Sequence, residues 1–279
     1  MKRNCLLMKL KKMLTLAATF VATLSLAACS ASSSSDSSQS TLEKIKEKGT
    51  LVVATSPDYA PFEFQALVDG KNEVVGADIM LAQKIADELG VKLEVSAMSF
   101  DNVLSSVQNG KADIAIAGLS YSDERAKVFD FSESYYQIAD VLLIKKDDAS
   151  TLTSIDAISG KNLAVQKGST QETYAKSEIS QAKIVSLTLM GEAVNELKAG
   201  KVDAVLMDSP VAAGYVSQNS DLTIASIEFP TIDENSKVIA LPKGSDDLKT
   251  SIDKVINEVK SSGEFDTFLE KAATYTAVE

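Results

Sequence analysis

The chain has 279 residues, of which 45% are hydrophobic and 24% are charged, and its formal net charge is −11. This acidic balance makes nucleic acids and anionic lipid headgroups poor partners. The sequence contains no histidine, so the commonest general base and metal ligand is missing and Ser-His or Cys-His nucleophile pairs are excluded. We therefore expect no metal and no cofactor, and zinc sites and hydrolases are disfavoured.

Residues 1–28 have the features of a secretory signal peptide. Five cations precede an apolar run that is too short to span a membrane as a mature helix. Either Met1 or Met8 can be the start, because the segment after Met8 is a complete signal by itself. The run ends in Leu-Ala-Ala-Cys, which resembles a bacterial lipobox and predicts lipidation of Cys29. Secretion with a free Cys29 is the alternative. Residues 29–41 then predict a lipidated cysteine followed by a flexible serine-rich tether.

From residue 41 the sequence predicts alternating helices and strands, typical of an α/β fold. A helix over 41–48 and a strand over 51–55 lead into a loop with two prolines and three aromatic residues. In this loop we expect Tyr59 to contact a ligand, and Phe62 and Phe64 to pack in the core. An amphipathic helix over 78–89 and a strand over 91–95 follow, so Phe100 should lie near Tyr59.

Residues 100–125 predict a site for a carboxylate. A helix with an apolar stripe ends at Asn109-Gly110, and a buried strand over 112–117 leads to a loop of small residues containing Gly118 and Ser120. Ser122 can cap the next helix, which carries Arg125 in its first turn. A guanidinium and free amides at a helix start provide charge-assisted hydrogen bonds for a carboxylate.

The same unit occurs a second time. Residues 190–208 align without a gap with residues 100–118, and both copies contain Gly-Lys-x-Asp between helix and strand. The second strand ends in Asp208, where the first ends in Gly118. We interpret the repeat as two similar lobes, one offering a cation and the other an anion. The alternative is that this helix-turn-strand connection is merely a common one.

A loop at 168–172 follows the strand over 163–166. Ser169 and Thr170 offer hydroxyls and free amides there, so both are candidate ligand-binding residues, with simple N-capping as the alternative. The apolar residues 238–241 are expected to return to the first lobe before the closing helices. The predicted organisation has lobe 1 formed by residues 42–141 and 236–279, and lobe 2 formed by residues 142–235.

Six motifs occur in an order that carries a family resemblance: TSPDYAPFEF, SFDNVL, AGLSYSDER, FDFSESYY, QKGSTQETY and AVLMDSP. Together they resemble the extracellular solute-binding proteins of polar amino acid ABC transporters, known as family 3, over residues 42–272. The resemblance implies a type II periplasmic-binding fold. In that fold each of two lobes has a mixed sheet flanked by helices, and two strands form the hinge.

The resemblance also implies roles for the polar residues. Arg125 would hold the α-carboxylate of an amino acid, helped by the backbone amides of Ser120 and Thr170. Asp208 would bind the α-ammonium, with the Ser120 hydroxyl and the Gly118 carbonyl completing its shell.

Recognition of the ligand side chain is less well defined. Tyr59 and Phe100 would sandwich it. Ser56 stands where relatives that bind lysine or arginine often carry an acid, and Met207 where a glutamine-binding relative carries histidine. An aromatic slot favours arginine first and glutamine second. Acidic ligands rank last, because Asp58 and Glu63 flank Tyr59.

The implied function is delivery of an amino acid to a membrane permease by hinge closure. We expect a monomer that is lipid-anchored at the extracytoplasmic face of the bacterial cell membrane. The sequence has no phosphate-binding loop and no mature membrane span, so we expect the permease and its ATPase to be separate chains. Two alternatives are a cyclohexadienyl dehydratase on the same fold, using Glu63 or Glu172, and a surface adhesin or sensor lobe.

Overall fold

The computed structural model describes residues 39–230 and 236–278. The predictions for the signal segment, Cys29 and most of the tether lie outside these residues. Within the described residues, no helix is both long enough and apolar enough to cross a membrane.

Helices and strands alternate along the described residues. The helices are α1 Thr41–Lys48, α2 Ala77–Leu89, α3 Phe100–Gln108, α4 Asp123–Ala126, α5 Thr170–Glu178, α6 Met190–Lys198, α7 Ser209–Gln218, α8 Asp246–Ser262 and α9 Glu264–Ala272. The first eight strands are β1 Thr50–Thr55, β2 Asp58–Tyr59, β3 Glu63–Val68, β4 Lys71–Val75, β5 Lys92–Ala97, β6 Ile114–Ala115, β7 Phe129–Phe131 and β8 Tyr136–Gln137. The remaining strands are β9 Asp140–Lys145, β10 Asn162–Gln166, β11 Lys183–Leu187, β12 Ala204–Asp208, β13 Leu222–Ile224, β14 Ser236–Lys237 and β15 Ala240–Pro242.

Two five-stranded mixed sheets have the same topology. The first has the order β5-β1-β6-β15-β7 and the second the order β11-β10-β12-β9-β13. In each sheet the first three strands are parallel and the last two pair antiparallel with their neighbours. This confirms the predicted α/β fold with two similar sheets flanked by helices.

A two-stranded sheet joins the two halves of the chain. Strand β8 leads from the first sheet into β9 of the second, and β14 precedes β15 of the first sheet. The two strands pair antiparallel. The chain therefore passes between the sheets through paired strands, as a two-strand hinge requires. The lobe boundaries themselves stay a prediction.

The aspartate of the repeated Gly-Lys-x-Asp segment makes the same pair of hydrogen bonds in both sheets. The Asp113 carboxylate accepts a hydrogen bond from Val52 N at 2.7 Å, and Asp203 accepts one from Asn162 N at 2.7 Å. In both cases the aspartate amide donates back to the carbonyl of the same residue at 2.8 Å. Each aspartate thus ties its strand to the neighbouring parallel strand, which supports the repeat interpretation.

Three predicted elements differ in extent. The strand predicted over 112–117 forms ladder pairs only at Ile114–Ala115. Beyond it the backbone turns, and the Gly118 amide bonds to the Asp78 carboxylate. The sequence also predicts a short helix over 152–158 and a strand over 222–227. The first is a 3₁₀ turn at Ile155–Ile158, and the second ends at Ile224.

Candidate ligand-binding site

Residues from both halves of the chain converge on one small cavity. Its volume is about 10 Å³, room for roughly one water molecule. The residues that line it are Tyr59, Phe100, Gly118, Ser120, Arg125, Gln166, Ser169, Thr170, Gln171 and Lys237. Seven of the eight predicted ligand-binding residues are therefore brought together, and the eighth, Asp208, contacts the lining residues Gln171 and Lys237.

The Arg125 guanidinium is partly buried and faces carbonyl groups. As predicted, Ser122 Oγ caps α4 by accepting from Arg125 N at 3.3 Å. The guanidinium donates to Ser120 O at 2.6 Å and to Gly168 O at 3.0 Å, and lies 5.9 Å from the centre of the Phe100 ring. Burial lowers the pKa of Arg125 to about 10, so it stays charged at neutral pH.

Among the described residues, no carboxylate lies within 4.0 Å of the Arg125 guanidinium. A partly desolvated cation bonded only to carbonyls retains its attraction for an anion. This side chain can therefore bind an anionic group that enters the cavity.

Asp208 is the anionic group of the site and is fully buried at the end of β12. Its Oδ1 accepts from Gln171 Nε2 at 2.8 Å, and its Oδ2 lies 2.5 Å from Lys237 Nζ. The second contact is an ion pair whose angles are not those of a hydrogen bond. The backbone N of Asp208 donates to Tyr59 Oη at 3.2 Å, which connects the two halves of the molecule.

Three lining residues are absent from the predicted set: Gln166, Gln171 and Lys237. Gln166 is the last residue of β10, and a polar residue at the end of an apolar strand is the signal that identified Asp208. Lys237 is 1% exposed and donates to Ser120 Oγ at 3.0 Å. A lysine before an apolar run is ordinarily exposed, so its local sequence gives no sign of this position.

The aromatic residues have separate partners. The Tyr59 ring stacks on the buried Phe62 with centroids 6.2 Å apart, and Phe100 faces Arg125. Phe62 and Phe64 are buried, as predicted for core residues. Tyr59 and Phe100 both line the cavity, which confirms that they are neighbours. Their sandwiching of a ligand stays a prediction.

The loop before α5 uses the Ser169 hydroxyl for capping. Ser169 Oγ accepts from Glu172 N at 3.0 Å and donates to Gln166 O at 2.7 Å. The hydroxyl of Thr170 lies 3.3 Å from Gln171 Oε1. The Ser169 hydroxyl is therefore used for N-capping, as the alternative interpretation expected. Contacts of Ser169 and Thr170 with a ligand stay a prediction.

Asp58 connects the two halves next to the cavity. Its carboxylate accepts from Met190 N, at the start of α6, at 2.7 Å, and from Gln166 Nε2 at 3.3 Å. Burial raises the pKa of Asp58, although these hydrogen bonds oppose the shift. Asp58 also lines a larger cleft of about 880 Å³, whose charged lining residues are Asp58 and Glu192.

A buried pair of carboxyl groups lies beneath Gly118. Asp78 accepts from Gly118 N at 2.8 Å and from Tyr135 Oη at 3.0 Å, which fixes the turn where Gly118 has φ 53°. Glu63 and Asp78 are in contact, and burial followed by the Asp78 charge raises the pKa of Glu63 well above its ordinary value.

Two ionised carboxylates cannot hydrogen-bond to each other. A proton on Glu63 would let one of its oxygens donate to Asp78, as the raised pKa of Glu63 favours. The raised pKa of Glu63 bears on the expectation that its charge repels acidic ligands, which stays a prediction. Within residues 39–230 and 236–278, no group of three Cys, Asp or Glu side chains is placed to hold a metal ion.

The sequence profile of the bacterial extracellular solute-binding proteins, family 3, matches residues 51–274. The arginine-binding extracellular protein ArtP of Bacillus subtilis is 32% identical over 265 residues, covering 94% of this chain and 98% of ArtP.

Solved structures show the same architecture. An amino acid ABC transporter substrate-binding protein from Streptococcus pneumoniae bound to L-arginine is 55% identical, with a TM-score of 0.84. The match covers 86% of this chain and all of that one. An ancestral amino acid-binding protein, described as a precursor of cyclohexadienyl dehydratase, is 34% identical with a TM-score of 0.76 and covers 84% of this chain and all of its own.

Proposed function

The chain belongs to the bacterial extracellular solute-binding proteins, family 3, and on this basis we propose that it binds a free amino acid, L-arginine in preference to others, for delivery to an ABC permease. The observation that carries the proposal is the pairing of opposite charges around one cavity. Arg125 lacks a carboxylate partner among the described residues. Asp208 is a buried anion that contacts two residues of the cavity lining, Gln171 and Lys237. Such a pair is complementary to a zwitterion.

Three features favour a cationic side chain on the ligand. The larger cleft beside Asp58 is lined by two acids and by no lysine or arginine. The Phe100 ring faces the cavity, where a guanidinium gains roughly 0.5–2 kcal/mol by stacking. The solved relative at 55% identity is bound to L-arginine. Glutamine ranks second because its flat amide stacks in the same place, and acidic amino acids rank last because of Asp58.

Closure of the hinge supplies the signal for transport. Bonds across the cavity, such as Tyr59 to Asp208 and Arg125 to Gly168, require the two halves to be close together. A ligand that contacts both halves stabilises the closed form through its greater affinity for that form. The closed form then docks on a permease, which a separate cytoplasmic ATPase drives.

The site of action is the extracytoplasmic face of the bacterial cell membrane. A signal peptide over residues 1–28 directs export, and a lipid on Cys29, palmitate included, retains a monomeric binding protein near its permease. The serine-rich sequence after Cys29 would be the tether between the lipid and the folded part.

We propose a binding protein without dehydratase activity. The two carboxylates considered for a dehydratase, Glu63 and Glu172, do not line the cavity. Glu63 is buried beneath Gly118, and Glu172 accepts from Gly168 N at 2.7 Å and from Lys176 at 2.6 Å. The structural similarity to a precursor of cyclohexadienyl dehydratase keeps this alternative open to a direct assay.

A panel of ligands tests the proposal. The mature protein is titrated calorimetrically with arginine, lysine, glutamine, histidine, cystine and glutamate, and is assayed for turnover of prephenate and arogenate. We expect the tightest binding for arginine, weaker binding for glutamine, and no turnover. Tight binding of glutamate without a response to arginine would contradict the ligand assignment. Turnover of either acid would contradict the non-enzymatic function.

A further inference from the structure

Lys237 has the contacts that the proposed function assigns to the ligand's α-ammonium. Its side chain is 2% exposed, and its Nζ lies 2.5 Å from Asp208 Oδ2 and 3.0 Å from Ser120 Oγ. Both groups are the predicted partners of the α-ammonium. A primary ammonium of the protein itself therefore occupies the position expected for the ligand.

The two ammonium groups cannot occupy this position together. One oxygen of Asp208 faces Gln171 and the other faces Lys237. The surrounding residues leave a volume of only about 10 Å³. A second ammonium beside Nζ would also add like-charge repulsion in a desolvated site. An amino acid can pair with Asp208 only after the Lys237 ammonium has moved away.

The backbone of Lys237 does not need to move for this exchange. Lys237 lies in β14, which pairs with β8, and its carbonyl accepts from Tyr135 N at 2.9 Å. An isolated bridge also pairs its backbone with Ser120. The side chain, in contrast, is a flexible chain of four methylenes. The ammonium can leave Asp208 by rotation of the side chain while the hinge strands stay paired.

We propose that Lys237 is an internal substitute for the ligand's α-ammonium and thereby sets the affinity of the site. This inference rests on the proposed amino acid-binding function. Binding is then an exchange of one ammonium for another on Asp208. Only molecules in which the Lys237 ammonium has left Asp208 can accept the ligand. The apparent affinity is therefore the intrinsic affinity multiplied by the fraction of such molecules.

Substitution of Lys237 by methionine separates this role from a structural one. Lys237→Met leaves Asp208 buried without a counter-charge, so the protein alone should unfold at a lower temperature. Its affinity for arginine should rise by about tenfold or more, because the competitor is gone and the ligand restores the counter-charge. A purely structural lysine would lower stability and affinity together. Affinity equal to or weaker than that of the wild type would overturn the inference.

Lys84→Met is the control, because it removes a partly buried ion pair with Glu264 at 2.7 Å, and neither residue lines the cavity. It should leave arginine affinity unchanged.

Chemical rescue supplies an independent measurement. Lys237→Ala removes the three outer methylenes and the ammonium, which n-propylammonium replaces atom for atom. Propylamine should raise the unfolding temperature of Lys237→Ala, or restore its fold if the variant is unfolded, and should compete with arginine. It should leave the wild type unaffected. The absence of rescue would contradict the inference.

The two proposals fail in different ways. If the wild type binds no amino acid, the proposed function fails, while the propylamine rescue can still be observed. If the wild type binds arginine but Lys237→Met binds it no better, only the inference about Lys237 fails.

Discussion

At the scale of single residues, the state of Arg125 determines what the cavity can bind. Its guanidinium donates to two carbonyl oxygens, one from each half of the molecule, and stays charged although burial lowers its pKa to about 10. Neutral carbonyls do not cancel a positive charge. An incoming carboxylate therefore gains a charge-assisted bidentate contact in a partly desolvated site.

Removal of this guanidinium should weaken ligand binding strongly. Loss of one partner of a buried, hydrogen-bonded charge pair typically costs about 2–5 kcal/mol. Arg125→Ala should therefore reduce arginine affinity by a factor on the order of a hundred or more. Arg125→Lys should recover only part of the loss, since an ammonium cannot make the bidentate contact. Calorimetry showing near-normal affinity in Arg125→Ala would exclude this residue from the site.

The buried Glu63 should make stability depend on pH. Burial and the adjacent Asp78 charge raise the pKa of Glu63 well above 4.5, so the folded protein keeps a proton that the unfolded chain releases. As pH rises from 4.5 toward the raised pKa, the free energy of unfolding should fall by at most about 1.4 kcal/mol per pH unit. Glu63→Gln, which can still donate to Asp78, should remove this dependence. Urea unfolding between pH 4 and pH 8 measures the difference from the wild type.

Glu172→Gln is the control, because the pKa of Glu172 is shifted in the opposite direction to that of Glu63. Burial raises the pKa of Glu172, but hydrogen bonds from Lys176, Ser186 and the Gly168 amide outweigh burial and lower it. Its stabilising contribution is present above pH 4.5 and is lost as pH falls. Glu172→Gln should therefore be less stable than the wild type at pH 7, with a difference that shrinks toward acid.

A pH profile of Glu63→Gln that parallels the wild type would show that Glu63 ionises normally.

The sequence predicts site residues only where local chemistry is unusual. Arg125 beside a capping serine and Asp208 at the end of an apolar strand are recognisable by themselves. Lys237 and Glu63 are not, because their burial depends on contacts with residues more than ten positions away in the chain. Lys237 meets Ser120 and Asp208, and Glu63 meets Asp78. Only the tertiary structure shows which charges are neutralised.

At the scale of elements, helix ends marked by glycine are well predicted, whereas the ends of β6 and β13 are not. Helix α1 ends before Gly49 and α9 begins after Gly263, both with φ near 70°, which marks a boundary in the sequence. Strand β6 is shorter than its apolar run, and the backbone turns where the Gly118 amide bonds to the distant Asp78 carboxylate. The pattern of apolar residues predicts which residues are buried, but it does not predict where the hydrogen-bonded strand pairing ends.

The loop before α5 approaches the other half of the molecule closely at Gly168. A Cβ at this glycine would lie 3.3 Å from the Cα of Asp101, in a backbone with φ +81°. Gly168→Ala should therefore hinder closure and weaken arginine binding by roughly tenfold, equivalent to about 1.4 kcal/mol. Calorimetric titration measures the effect.

Gly160→Ala is the matched control for backbone strain. Gly160 has a similar φ of +74°, but a Cβ there would meet nothing within 4 Å. Both variants should lose comparable stability, and only Gly168→Ala should lose affinity. An equal loss of affinity in both variants would show that the effect is not one of closure.

At the scale of the whole molecule, contacts across the cavity connect two halves that share a topology. Asp58 bonds to the start of α6, and Lys167 pairs with Asp101 at 2.8 Å. Surface ion pairs contribute little by themselves. A ligand that adds bonds to both halves would therefore dominate the equilibrium between open and closed forms.

Attachment to the membrane is predicted to depend on one residue. Cys29 follows Leu-Ala-Ala in the sequence and precedes the serine-rich segment. Cys29→Ser should release the protein from cells in a form that still binds arginine, because the folded part begins beyond the tether. Fractionation of cells and medium, followed by titration of the released protein, checks this. Retention of the variant in the membrane would contradict the lipid anchor.

Binding of a zwitterion between Arg125 and Asp208 is tested most directly with arginine analogues that lack one of its two α-substituents. Agmatine is arginine without the α-carboxylate, and 5-guanidinopentanoic acid is arginine without the α-ammonium. Calorimetric titration of the wild type should show that each binds about a hundredfold or more weakly than L-arginine. In Arg125→Ala, the difference in affinity between arginine and agmatine should be much smaller, because the main group that distinguishes them is gone. Binding of agmatine to the wild type as tightly as L-arginine would contradict the account.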